Sequence, residues 1–484
     1  MAGDATLMRY VVFLMQHGKA PYRDIVDINF PGSYLVEWLV MHCPGSGSLA
    51  WRLFDLALGL AATIAMLVIA WPWEGFAGLF AGILFILLHG RDGIQEMGQR
   101  DLVMAVLLLG AYAALFCFVR RSRGPRIDLT LIALIGTLLG FACTIKPTAV
   151  LFIPVLLVLA AIELRRQNRR CLPLLAVGTA FALLPVIAAF LFLVKEHALR
   201  PFVDIVVTIL PDHADLRRHS LGYLLLHALP GDLLPLLVLW APLAAVSRFL
   251  RTWEGKALLA GVVLGLVSFL AQGKGYSYQR YPAESLLLIT IAIDLALAAK
   301  AAPLPTPRWA RILAVSALAF AIVIGFGCVK KALSFDGRND EFATLLTGDL
   351  NQLGGAPALD GKVQCLDIAA GCLDVLYRAR IVQATGFLYD CYLIYPDAAD
   401  LHYREEFWEE MKKSGPRVII VTSHKCGLGR MDYTYSELND WPQLRDYLAD
   451  HYTLDADRVP PHPVHWSGSP GPPFGYRIYT RQSP

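Results

Sequence analysis

The chain has 484 residues, 56% of them hydrophobic and only 17% charged, with a formal net charge of +3 at neutral pH. Soluble domains carry about a quarter charged residues, so this composition excludes an ordinary soluble enzyme. The small basic excess is the balance of basic short connectors against an acidic tail, which excludes nucleic-acid binding as a reading of the charge.

Residues 1–48 contain two short apolar pieces, Met8–Gln16 and Ser33–His42, separated by the Gly- and Pro-punctuated stretch Gly18–Pro31. Both are too short to span and are expected to lie in the membrane interface or against a bundle. Met1–Gln16 lacks the basic start, long apolar core and small-residue site of a cleavable signal peptide.

About ten bilayer-length apolar runs follow, at 49–72, 74–90, 101–119, 128–143, 147–163, 173–194, 232–250, 257–271, 282–299 and 312–330. Alternate connectors are basic: Arg120, Arg121, Arg123 and Arg126; Arg165, Arg166, Arg169 and Arg170; Arg248, Arg251 and Lys256; Lys300, Arg308 and Arg311. By the positive-inside rule these face the cytoplasm. Residues 1–48, the connectors His89–Asp101, Lys195–Asp232 and Gln272–Pro282, and the tail then face outward. The runs flanking Lys146-Pro147 are short, and one bent helix there would invert everything downstream, but the basic connectors argue against it.

In the tail, Val363–Asp367, Arg417–Thr422 and Tyr476–Arg481 read as strands and Asp400–Lys413 and Trp441–His451 as amphipathic helices. Three units are therefore expected: an outer-face first loop (1–48), a polytopic α-helical transmembrane bundle (49–330) and a small mixed α/β domain (331–484). Cys43, Cys117, Cys143, Cys171 and Cys328 lie in or beside spans as small apolar residues. Cys365, Cys372, Cys391 and Cys426 form an even set that could make two disulfides in an oxidising exterior, with all pairings open. No CxxC accompanies them, and His462 and His465 are remote in sequence, so no zinc site is expected.

The outward segments hold the candidate chemistry. Asp4, Asp24 and Asp27 are interleaved with Tyr22, Asn29 and Pro31; helix capping alone would explain such acids. Asp101 and Lys146 sit at span ends, where an ionisable group is either functional or snorkels to water. Tyr276, Tyr278 and Tyr281 suit an interfacial aromatic belt or sugar stacking, and Arg217 and Arg218, near His213, suit phosphate or lipid headgroups.

Asp4, Met8-Arg9-Tyr10, Gly18, Pro21-Tyr22-Arg23-Asp24 and Asn29-Phe30-Pro31-Gly32 together resemble the first outer loop of the GT-C membrane glycosyltransferases. The likeness is to the family-39-like group, which contains protein O-mannosyltransferases and the aminoarabinose and galacturonic acid transferases of lipid A. Gly98-Gln99-Arg100-Asp101-Leu102 resembles that family's second-loop acidic position, Thr144-Ile145-Lys146-Pro147-Thr148 its Lys-Pro segment, and Gln272–Pro282 its later aromatic and basic loop.

This resemblance implies an inverting transferase using a polyprenyl-phosphate sugar donor and an envelope acceptor (lipid A or lipopolysaccharide, glycan or protein). It would work at the periplasmic face of a bacterial inner membrane, among membrane lipids and without nucleic acid. Asp4 would be the general base, supported by Asp24, Asp27 and Asp101. Lys146, Lys274 and Arg280, with Arg217 and Arg218 of a covering loop, would bind the donor phosphate. Tyr22, Asn29, Tyr276, Tyr278, Tyr281 and His213 would contact substrate. No cofactor is expected: the outer loops offer no Asp-x-Asp, and Asp455-Ala456-Asp457 reads as a solvated turn of the tail, although Asp4 with Asp101 could weakly recruit a divalent cation.

The chain departs from the family where Asn29-Phe30-Pro31 replaces a Lys-Pro-Pro, so another cation must meet the phosphate. It also has only three residues before Asp4 where relatives have a span, and an upstream span is expected. The rival readings are a lipid-linked glycan transporter or flippase, which predicts mid-membrane charges and inverted repeats, and a non-catalytic envelope scaffold.

Overall fold

The computed structural model describes residues 4–93, 96–120, 124–215, 218–300, 307–334, 341–367, 371–389, 393, 401–425, 430–431, 435, 437–461 and 475–482. Two short helices, α1 (Asp4–Gln16) and α2 (Pro31–His42), precede the bundle. Next come α3 (Ser48–Asp92), α4 (Arg100–Arg120), α5 (Pro125–Ile145), α6 (Phe152–Arg166) and α7 (Leu172–Lys195). The short α8 (Leu199–Val207), α9 (Ile209–Asp215) and α10 (Leu221–His227) lead into α11 (Leu234–Val246), α12 (Trp253–Gln272), α13 (Tyr281–Ala299) and α14 (Arg308–Leu333). Apolar runs become helices here because a bilayer offers backbone amides no partners other than one another.

Among the described residues, eight helices are long and apolar enough to cross a membrane when α3 is counted once. At 45 residues, α3 would be about 68 Å long if straight, more than twice the hydrocarbon thickness. It bends instead. Pro72 removes a helical hydrogen bond and Glu74 leaves the helical backbone, at φ −165° and ψ 101°. The halves then pack on each other, with Gly82 against Thr63, Gly78 against Leu67 and Gly59 against Ile86. α3 is therefore a hairpin of two crossings.

Short α11, with the bent α10 before it, reads as a further crossing. It begins beside Asp232, paired with Arg91 at the end of α3, and reaches Ser247, whose hydroxyl, like the Trp240 indole, bonds Asp294 far along α13. Counted this way the described residues make ten crossings, an even number, and the tail packs with α1 on one side of the bundle.

At the opposite end, arginines cap helices whose last carbonyls lack partners. Arg120 donates to Ile69 O at 2.7 Å, and Arg169 to Phe118 O and Val119 O at 2.9 Å. Arg169 also lies 3.6 Å from Asp128, tying the end of α6 to the start of α5. The break at Lys146-Pro147 thus separates two antiparallel crossings.

The tail has α15 (Glu341–Gln352), α16 (Gly355–Leu359) and α17 (Gly371–Ala379), and a four-stranded sheet of β1 (Val363–Leu366), β2 (Val418–Thr422), β5 (Tyr452–Arg458) and β6 (Tyr476–Arg481), with the two-residue pair β3 (His424–Lys425) and β4 (Arg430–Met431) apart from it. The order is β1-β2-β6-β5; β1 and β2 are parallel and the other pairs antiparallel. Asp455-Ala456-Asp457, expected as a turn, lies instead on edge strand β5, where Asp457 bonds Arg477 across to β6 at 2.8 Å. Cys365 and Cys372 are disulfide-bonded, while Cys391 and Cys426 lie outside the described residues.

The first loop completes this domain's core. Met8, Tyr10, Val12 and Phe13 of α1 share a buried cluster with Leu346, Leu373 and Leu376. Tyr10 OH donates to Ile381 O at 2.9 Å, Val26 N–H to Gly386 O at 3.0 Å, and Tyr377 OH to Ser46 O at 2.8 Å.

Candidate active site

The first loop is shaped by its own carboxylates. Asp24 accepts the Ala20 N–H at 2.8 Å and the Arg23 guanidinium at 2.7 Å, while Arg23 also donates to Glu196 O at 2.9 Å. Asp24 therefore closes a turn against the tail and the end of α7, apart from the other candidate acids. Asp27 is buried, accepting Asn29 Nδ2 at 2.8 Å and Tyr34 OH at 2.7 Å; Tyr22 OH donates to the Asn29 carbonyl. Tyr22 and Asn29, expected to touch substrate, are themselves buried and hold Asp27 in place.

Burial raises the Asp27 carboxyl above its ordinary value, and the bonds from Asn29 and Tyr34 with the field of Arg100 offset this only in part. Burial likewise raises Glu37 against the fields of Arg9 and Arg100. Asp24 is the reverse: partial burial raises it, but Arg23 and the Ala20 N–H outweigh that and leave it lowered.

The signs of the pH dependence follow. Asp27 and Glu37 hold protons more tightly in the folded loop than in the unfolded chain, so their contribution is full below the unfolded values and is lost as pH rises through the raised ones. The contribution of Asp24 is present above its unfolded value and lost as pH falls through the lowered one. Amide exchange in residues 20–37, corrected for its intrinsic rate, is expected to be slowest near about pH 5 and faster toward about pH 8. Protection that climbs steadily across that range would contradict the assignment.

The second acid arrives at the head of α4. Gly98, at φ +67° where a Cβ would stand 3.4 Å from the Trp51 ring, allows the tight turn that starts this helix. Its N–H donates to Asp55 Oδ1 at 2.9 Å. The turn delivers Asp101, wholly buried, to Lys146, with Nζ 3.0 Å from Oδ2. Gln272 completes the group: Lys146 Nζ donates to Gln272 Oε1 at 3.1 Å.

Lys146 occupies this point because α5 ends there. Its backbone is extended, as a residue before proline prefers, and Pro147 cannot continue the helix. Gly32 rests on the same helix end: a Cβ there would stand 2.3 Å from Thr144 Oγ1 and 2.8 Å from the Thr144 carbonyl. Asn29–Gly32 is thus seated beside Lys146, and Arg100 acts electrostatically on both Asp27 and Glu37.

The loop after α12 brings further cations. Lys274 is buried and donates to the His213 carbonyl, and the His219 N–H bonds Gly273 O at 2.9 Å, so the α9–α10 segment lies over this loop. Arg218 is exposed and 3.2 Å from Asp215. Arg280 lies 3.6 Å from Asp92 and donates to Ser277 O at 3.1 Å. Tyr276 and Tyr278 stack with centroids 5.4 Å apart, and Tyr276 is 37% exposed. Tyr281 does not join them. Expected to contact substrate, it is wholly buried and bonded to His89 Nδ1 at 2.8 Å. The side chain of Asp4, at the start of α1, and all of Arg217 lie outside the described residues.

Sequence reasoning passed over Asp55, His89, Arg91, Asp92 and Glu96, which form a buried polar belt beneath this face. His89 Nε2 lies 3.0 Å from Asp55, Arg91 2.9 Å from Asp92, and Ser277 Oγ donates to Glu96 at 2.6 Å. The cue was the one that marked Asp101, charges at the end of an apolar run. Among the described residues no group of three or more His, Cys, Asp or Glu could hold a metal ion.

No protein-family model matches the sequence, and no curated protein matches it. Solved structures do. The apo structure of ArnT from Cupriavidus metallidurans superposes with a TM-score of 0.59 at 14% identity, over 99% of this chain and 94% of that one. ArnT bound to undecaprenyl phosphate gives 0.56 at 13% identity with the same coverage. The Archaeoglobus fulgidus oligosaccharyltransferase tethered to an acceptor peptide gives 0.52 at 11% identity, over 87% of this chain and 65% of that one.

The chain has the GT-C fold. The superposition on ArnT runs along nearly the whole length of both chains.

Proposed function

We propose that this chain is an inverting glycosyltransferase that moves a sugar from a polyprenyl-phosphate donor to an envelope acceptor, at the periplasmic face of a bacterial inner membrane. The observation that carries the reading is the meeting of Asp101, Lys146 and Gln272 with the Asp27 loop at one end of a GT-C bundle whose fold neighbour ArnT was also solved with undecaprenyl phosphate. The flippase reading loses support because the buried ion pairs described lie at the two ends of the bundle, Asp101–Lys146 at one and Arg120–Glu254 at the other.

In the proposed reaction the acceptor's nucleophile gives its proton to Asp4 as it attacks the anomeric carbon. The bond to the phosphate oxygen breaks, and its electron pair leaves with the lipid phosphate. Lys146, Lys274 and Arg280 neutralise that phosphate, with Arg217 and Arg218 available from the covering segment. Asp101 acts by holding Lys146, and Asp27 by ordering the loop against the end of α5. Tyr276, Tyr278 and the His213 segment border the space left for substrate.

Mass spectrometry of lipid A, glycans and envelope proteins from cells with and without the chain is expected to reveal one added sugar mass. In the purified full chain, Asp4→Asn should lower turnover by about a hundredfold or more while leaving affinity for undecaprenyl phosphate unchanged. Near-normal turnover would transfer the base to Asp27. Turnover is expected to survive a chelator.

A further inference from the structure

Three segments meet at His89. The ring, 8% exposed, lies near the end of the second half of α3. Its Nε2 is 3.0 Å from Asp55 Oδ2 on the first half, and its Nδ1 is 2.8 Å from Tyr281 OH, where the Lys274–Arg280 loop becomes α13. A carboxylate only accepts, so Nε2 carries the hydrogen; in the neutral ring Nδ1 then accepts from Tyr281. The line runs from Tyr281 through His89 to Asp55.

Asp55 does a second job. Its Oδ1 accepts the Gly98 N–H at 2.9 Å, and Gly98 opens the turn from which Arg100 and Asp101 emerge. The same turn is fixed to the other loop by Ser277 Oγ on Glu96 at 2.6 Å. Asp92 and Glu284 interact electrostatically with the ring, and Asp92 in turn lies 2.9 Å from Arg91 and 3.6 Å from Arg280. The acid-bearing turn and the cation-bearing loop therefore share one buried hydrogen-bonded footing. Of its members, the proposed reaction uses only Arg280 directly.

We infer that His89 is a positioning residue: by joining Asp55 to Tyr281 it sets the turn that delivers Asp101 and the loop that delivers Lys274 and Arg280 in fixed relation to each other. The inference rests on the glycosyltransferase reading only for its consequence, since the coupling of the two segments is a statement about this fold. Tyr281 and Asp55 act through His89 without touching substrate. Loss of either hydrogen bond releases the same relation, so the two losses do not add.

The test uses the purified full chain with Tyr281→Phe, Asp55→Asn and both together; Tyr281→Phe keeps the buried ring and so preserves packing. Amide exchange is expected to speed up in both 96–101 and 273–280 in each single variant, while 105–119 of α4 keeps its protection. Affinity for undecaprenyl phosphate should fall about tenfold in each, and the double variant should fall no further than the worse single one. Exchange that changes in one segment only, or losses of affinity that multiply in the double variant, would overturn the coupling. A wild-type chain that does not bind undecaprenyl phosphate would remove the proposed function, and the paired exchange result would still decide for or against His89.

Discussion

Asp101→Leu is expected to unfold the site end of the bundle rather than merely slow a reaction. Asp101 is wholly buried and its partner Lys146 has a side chain only 16% exposed. Removing one member of such a pair strands the other charge in a low-dielectric setting, at a cost of about 3–5 kcal/mol. Lys146→Met should be damaging for the mirrored reason, leaving the Asp101 carboxylate with Gln272 at 3.5 Å as its remaining neighbour in the group.

The double change Asp101→Leu with Lys146→Met removes both charges together and should be more stable than either single variant, because no buried charge is left unpaired. Thermal unfolding of the four forms gives the coupling directly. Turnover separates structure from chemistry, since the double variant should regain its fold and remain inactive if Lys146 meets the leaving phosphate. Single variants as stable as the wild type would mean that the pair is solvated and is not the centre of the site.

Much of this was legible in the sequence because membrane physics leaves few options. A run of bilayer length must be a helix, and alternating basic connectors fix which helix ends share a face. Strands β1 and β2 stood out as short β-branched runs and β6 as a final strand, whereas β5, with Asp455 and Asp457 on an exposed edge, looked like a turn. Asp101 and Lys146 were found as charges at span ends, but nothing in the spacing of residues 101, 146 and 272 shows that they pair. The burial of Tyr281 was hidden for a related reason. Periodicity marks an aromatic at a membrane boundary, and only the position of His89, 192 residues earlier, turns it inward.

The merging of α1 with the tail core was equally hidden, since it joins residues about 370 apart, as Tyr10 and Ile381 show. Asp24 and Asp27 illustrate the finer limit. They are three residues apart in one acidic loop, yet one braces a turn toward the tail and the other is buried beside Arg100.

Gly140→Ala is expected to pry α5 from α7 and take Lys146 with it. The helices cross where Gly136 and Gly140 face Gly178 and Ala182, a small-xxx-small pair that lets two backbones touch in a setting without a hydrophobic drive between helices. A Cβ on Gly140 would stand 2.0 Å from the Ala182 carbonyl oxygen, and one on Gly136 2.2 Å from that of Gly178. Backbone oxygens cannot swing aside, so one methyl group forces a helix displacement, which should exceed the roughly 1 kcal/mol that Gly→Ala gains in helix propensity.

The facing glycine supplies the control. A Cβ on Gly178 would meet Ile132 Cγ2 at 3.7 Å and Leu174 Cδ1 at 4.0 Å, ordinary contacts, so Gly178→Ala should be neutral or slightly stabilising. Because α5 ends at Lys146 and carries Thr144 under Gly32, the Gly140 variant should lose affinity for undecaprenyl phosphate along with stability, and Gly178→Ala should keep both. Equal tolerance of the two substitutions in thermal unfolding would show that α5 and α7 do not pack this closely, and the placement of Lys146 built on that packing would fall with it.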